Sequence, residues 1–166
     1  VNDLSETNVA GALIIEGALK IVIHPQIRIE TPRSADLAVI ILKSPIYLTN
    51  SISPICLWPA NNNFVDILGR TGYAVGWGVN EFGSYSKFKK HIPMKILDEN
   101  SCRSHFSNNF ASGNYFCVNN IDRVSTPCEL DDPFYIKINE KWFLRGLINI
   151  YFFSPSDNKC DVNSPV

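Results

Sequence analysis

The chain has 166 residues, 45% of them hydrophobic and 19% charged, with a formal net charge of −1. That length allows one large domain or two small ones, and a near-neutral charge gives no long-range attraction to nucleic acid or anionic lipid. The longest apolar run, Leu37 to Leu42, falls well short of the ~20 residues a membrane-spanning helix needs.

In chain order, Leu13, Ile14 and Ile15 suit a strand between the breaks at Gly11 and Gly17. Lys20 to His24 reads as a strand stopped by Pro25, because proline removes a ladder donor. Ser34-Ala35-Asp36 then delivers an aspartate into Leu37–Leu42, a run whose length and β-branching predict a buried strand. Ile55 to Pro59 closes this half, and the polar stretch 60–71 reads as a loop between halves. Gly72 to Gly78 is a strand running into a glycine-rich turn, and Ile92–Leu97 is a short alternating strand. Asp98 can cap a short helix after it. Tyr115–Val118 is a further strand. Phe134–Ile138 and Trp142–Ile150 flank Asn139-Glu140-Lys141, which is a hairpin signal. Many short strands separated by turn residues predict an all-β sandwich or barrel.

Five cysteines occur, at 56, 102, 117, 128 and 160, without a CxxC pair or Cys/His spacing suited to zinc. No metal and no cofactor is expected. An odd cysteine count points to a bond outside the chain or to a free thiol, and oxidising surroundings are the better expectation. The lysines at 87, 89 and 90 read as a solvated loop. Glu129, Asp131 and Asp132 place three carboxylates in four residues, but no supporting oxygen ligands follow at calcium-loop spacing. Trp58, Trp77 and Trp142 read as core or rim aromatics.

Six pieces, in order, resemble the trypsin/chymotrypsin-like serine proteases. They are Ile23-His24-Pro25, Asp36-Leu37-Ala38-Val39-Ile40, Pro54-Ile55-Cys56-Leu57, Gly76-Trp77-Gly78, Phe116-Cys117, and the run from Lys141 to Asn149. The resemblance covers roughly residues 13 to 166. It implies two Greek-key β-barrels, incomplete at both ends: the remainder of a first barrel over 1–59, a linker over 60–71, and most of a second over 72–166. It implies disulfides Cys102–Cys117 and Cys128–Cys160, with Cys56 bonded to a segment outside the chain. It also implies a secreted, extracellular protein with protein partners.

The family's nucleophile segment reads Cys-x-Gly-Asp-Ser-Gly-Gly, and here the same register reads Cys128-Glu129-Leu130-Asp131-Asp132-Pro133-Phe134. Asp36 matches the triad aspartate, and Asp132 falls at the nucleophile position. Thr126, Asn149 and Tyr151 match positions of the specificity pocket. None of His24, His91 or His105 matches the base, and each reads as an ordinary histidine. The mechanism needs a hydroxyl nucleophile, a histidine base, its orienting aspartate and an oxyanion hole. Asp132 offers a carboxylate instead, which repels a developing oxyanion. Leu130 replaces a donor-bearing glycine, and Pro133 restricts the residue before it. The expectation is a serine protease homologue that is proteolytically inactive and acts as a binding or regulatory partner in a proteolytic cascade. The alternatives are an active serine endopeptidase and a non-functional partial gene product.

Overall fold

The computed structural model of the chain describes residues 17–27, 35–50, 52–59, 63–77, 89–105, 115–121 and 132–149. The chain divides into two compact units, residues 2–54 and 55–166.

In the first unit, β1 (Ala18–Ile23) pairs antiparallel with β2 (Ala38–Leu42), with Ile21 opposite Ile40 and Ile23 opposite Ala38. The bond from the His24 amide to the Leu37 carbonyl, 3.0 Å, extends the ladder by one step. Both strands form where the β-branched runs predict them. The expectation that Leu37–Leu42 is buried is overturned, because Val39 and Ile40 are each 58% exposed and Leu37 45%. Among the described residues of this unit no second layer covers either face of the two-stranded ribbon, so strand propensity is met without burial.

The second unit holds a six-stranded sheet. Its strands are β3 (Cys56–Leu57), β4 (Thr71–Gly76), β5 (Lys90–Ile96), β6 (Val118–Asn120), β7 (Pro133–Ile138) and β8 (Lys141–Leu147). Their order across the sheet is β3-β8-β7-β4-β5-β6. All pairings are antiparallel except β3 with β8. The single helix among the described residues, α1 (Glu99–His105), starts where Asp98 accepts from the Ser101 amide at 2.9 Å. This satisfies one of the orphan donors of the first turn. Cys102 on α1 is disulfide-bonded to Cys117 just before β6, with Cα atoms 5.6 Å apart.

Strand alternation sorts the side chains. Ala74 of β4, Ile92, Met94 and Ile96 of β5, Val118 of β6, and Phe134 and Ile136 of β7 lie in one buried cluster. Ile148 and Ile67 complete it. Burying each of the larger side chains contributes about 1.5–3 kcal/mol, so this cluster is the main source of stability in the unit. Ile67 belongs to a short 3-10 turn, Phe64–Ile67, capped by Asn63. The stretch 60–71 therefore delivers a core residue, where its polar composition predicts only a loop.

The β7–β8 hairpin turns through Asn139 (φ 46°) and Glu140 (φ 64°). Two positive φ values in succession are the two-residue turn that matches strand twist. Lys137 and Glu140 form an ion pair across it at 2.6 Å. Nearer the other end of the hairpin, Phe134 pairs with Gly146 but Tyr135 pairs with Leu144, so Arg145 is the extra residue of a β-bulge.

Candidate active site and its surroundings

Asp132 directly precedes β7, with no residue between it and the strand. Its carbonyl accepts from the Ile148 amide at 2.9 Å, which continues the β7–β8 ladder past the last strand pair. Its side chain turns inward, leaving the residue 9% exposed. The carboxyl group lies over the bare Cα of Gly76 at the end of β4. A Cβ built on Gly76 would come within 2.6 Å of the Asp132 Cγ. Gly76 is thus a close-approach glycine, and the space its missing side chain leaves is filled by a carboxylate. Asp132 is not a free group, since it makes further contacts beyond these.

Next along the chain from its two partners come Trp77, which follows Gly76, and Asn149, which follows Ile148. The Lys89 ammonium sits 4.9 Å from the centre of the Trp77 ring, within cation–π range. The Trp77 indole N–H is buried and finds no hydrogen-bond acceptor among the described residues. The structure thus brings Asp132 and Asn149 to the same end of the β7–β8 pair.

Asp36 lies in the other compact unit, half-buried, two residues before β2. The backbone ahead of it is unusual, with Ala35 at φ 54°, and Asp36 too is already engaged in contacts. Thr126, Tyr151, Cys128 and Cys160 lie outside the described residues. Cys56 is an exposed free thiol on the edge strand β3. Of the histidines, His24 accepts from the Gln26 amide at its Nδ1, 3.1 Å. Among the described residues no group of three or more His, Cys, Asp or Glu side chains is placed to hold a metal.

Two features escape the sequence motifs. The first is a pocket of about 530 Å³ on the sheet face opposite the core, lined by Ile55, Tyr73, Val75, His91, Tyr135 and Trp142. The Tyr73 ring meets His91 and Trp142 edge-on, with centroids 5.9 and 5.6 Å away. Burial raises the Tyr135 hydroxyl above its ordinary pKa. The alternation signal was present in the sequence: Tyr73 and Val75 share one face of β4 while Ala74 and Gly76 share the other. What periodicity does not say is that both faces carry bulky apolar groups. This pocket and the Asp132–Gly76 contact lie on opposite faces of the sheet.

The second is Arg145. As the bulge residue it turns to the core side of the sheet, where its guanidinium carbon is 4.5 Å from the Phe116 ring centre, 5.4 Å from Phe64 and 5.5 Å from Trp58. Those rings pack on one another and on the core, Phe64 with Phe116 and Phe116 with Phe134 at 5.7 Å each, and Trp58 with Phe143 at 5.8 Å. Trp58 is therefore a rim aromatic, as the sequence suggests, whereas Trp142 is 41% exposed on the pocket face.

The Trypsin family model matches residues 6–129, about three-quarters of the chain, and stops three residues short of Asp132. Among curated proteins, the ovochymase of Halocynthia roretzi is 25% identical over 149 residues, covering 87% of this chain and 9% of its own. A CLIP domain-containing serine protease, B4 of Anopheles gambiae, is 28% identical over 137 residues, 78% of this chain and 38% of its own. Rabbit (Oryctolagus cuniculus) haptoglobin is 29% identical over 89 residues, 54% of this chain and 23% of its own. The chain thus spans well under half the length of these relatives. With the family match over most of its length and the all-β architecture beneath it, this chain belongs to the trypsin family.

Proposed function

We propose that this trypsin-family chain does not hydrolyse peptide bonds and serves as a binding or regulatory partner in an extracellular proteolytic cascade. The observation that carries the reading is Asp132. A nucleophile has to be reached by its substrate, and the side chain at 132 is buried against Gly76 with its carbonyl tied to Ile148. A carboxylate there also places negative charge where an acyl-transfer site gathers donors for a developing oxyanion. Of the named roles, Asp36 is the counterpart of the triad aspartate, Asp132 stands at the nucleophile position without functioning, and Thr126, Asn149 and Tyr151 line what remains of a specificity pocket.

Protein partnership is supported by the exposed thiol of Cys56, for which we propose a disulfide to a segment outside these residues. The Cys102–Cys117 disulfide favours an oxidising, secreted setting. No helix among the described residues is long and apolar enough to cross a membrane.

The test is peptide-library turnover together with fluorophosphonate labelling, on the native product and on Asp132→Ser. Neither protein is expected to turn over substrate or label, because a serine at 132 inherits the buried placement of the aspartate. Labelling of any serine in the native chain refutes the reading and restores the active-endopeptidase alternative, which the similarity to a protein named as a serine protease keeps in view; labelling confined to Asp132→Ser overturns the argument from burial.

A further inference from the structure

Arg145 carries a charge that the described part of the protein leaves without an anion. Its guanidinium is walled by Phe116, Phe64 and Trp58. Its Nε–H is buried and finds no hydrogen-bond acceptor among the described residues. Burial holds the group below its ordinary pKa. The ion pairs among the described residues are Arg103 with Glu99 and Lys137 with Glu140, and neither involves Arg145.

The rings offset part of the cost of burying the cation, because their faces are electronegative. They accept no ordinary hydrogen bond, and an unsatisfied buried donor is the costlier defect. The bulge makes the arrangement specific. The extra residue between Leu144 and Gly146 puts Arg145 on the core side, and Gly146 leaves room for the Phe116 ring, whose Cε1 would lie only 3.0 Å from a Cβ there.

We propose that Arg145 is a receiving site for a carboxylate carried on an apolar body. The planar fork of a guanidinium matches the two oxygens of a carboxylate, and such a pairing supplies the counter-charge that the described residues do not. The three ring walls select an apolar carrier over a bare, hydrated anion. The chemistry is shared by a free aromatic acid and by the terminus of a peptide ending in an apolar residue. The proposal is independent of whether the chain cleaves peptides.

The experiment titrates the 166-residue chain with sodium benzoate, N-acetylphenylalanine, benzamide and inorganic phosphate, following tryptophan emission and the melting temperature. Benzoate or N-acetylphenylalanine is expected to bind saturably, at least tenfold more tightly than benzamide, the neutral isostere, and than phosphate. The tighter of the two acids identifies a free acid or a peptide terminus as the source. Arg145→Gln is expected to weaken binding at least tenfold, and Arg145→Lys to fall between, since lysine keeps the charge and loses the fork. Equal binding of benzoate and benzamide, phosphate binding as tight as the acids, or an unchanged affinity in Arg145→Gln overturns the proposal. If Arg145→Gln does not fold, the benzoate-to-benzamide ratio on the native chain and the Arg145→Lys titration decide it.

Discussion

Replacing Gly76 with alanine tests the contact on which the functional reading rests. The added Cβ would fall 2.6 Å from the Asp132 Cγ, where carbon atoms in good contact stand about 3.5–4.0 Å apart. Something therefore has to move by about 1 Å. Asp132 has little freedom to do so, because its carbonyl is held by the Ile148 amide at 2.9 Å and the next residue opens β7. Gly76 is held from its other side by pairing with Lys90 on β5. Overpacking of this kind costs about 1–3 kcal/mol, which lowers the melting temperature by roughly 2–12 °C in a chain of this size. Thermal and urea melts of Gly76→Ala, Asp132→Ala and the double variant measure it. Asp132→Ala removes all three atoms that the new methyl meets most closely, so the double variant is expected to recover part of the loss, with a coupling of about 0.5–3 kcal/mol. A Gly76→Ala chain that melts with the native protein, or two substitutions that simply add, would show that Asp132 does not occupy the space over Gly76. The functional reading would then lose its principal support.

Other consequences are direct. Phe134 is 1% exposed at the centre of the core, and Phe134→Ala is expected to cost about 3–5 kcal/mol in a urea melt. Removing the disulfide with Cys102→Ala and Cys117→Ala opens a loop with a sequence separation of 15, for which the chain-entropy model gives about 3 kcal/mol; comparing melts of native and double-alanine chains checks it. Asp98 is held below its ordinary pKa of 3.8 by accepting from the Ser101 amide and then from the Ser101 hydroxyl. A depressed carboxylate pKa gives stability that is fully present above 3.8 and lost as pH falls through the lower folded value. The melting temperature of the native chain is therefore expected to exceed that of Asp98→Ala near neutral pH and to converge with it in acid; a gap that does not narrow refutes the cap.

Much of this architecture was readable because it rests on local rules. The β-branched runs at 20–23 and 38–42, the alternation at 92–96, the capping aspartate at 98 and the Asn139-Glu140 turn each specify their element within a few residues. Other features depend on distant parts of the chain. Ile67 lies in a polar stretch and is buried because the 3-10 turn brings it against the sheet. The extended run at 37–42 was expected to be buried, but burial requires a facing layer, and the run itself carries no information about one. The Trp142-to-Asn149 run reads as a plain strand, and its bulge appears only when Phe134 and Tyr135 take partners on β8 that lie two residues apart.

The sequence alone determined the family resemblance, the all-β class and the presence of a carboxylate at 132, because motif order and residue chemistry are properties of the chain itself. Tertiary structure alone decided that this carboxylate is buried over Gly76, that Tyr73 and Trp142 share a pocket on the far face, and that Arg145 lies among three rings. Those facts depend on contacts between residues 29 to 87 positions apart in sequence, and the energies that fix them belong to the packing of whole strands on one another.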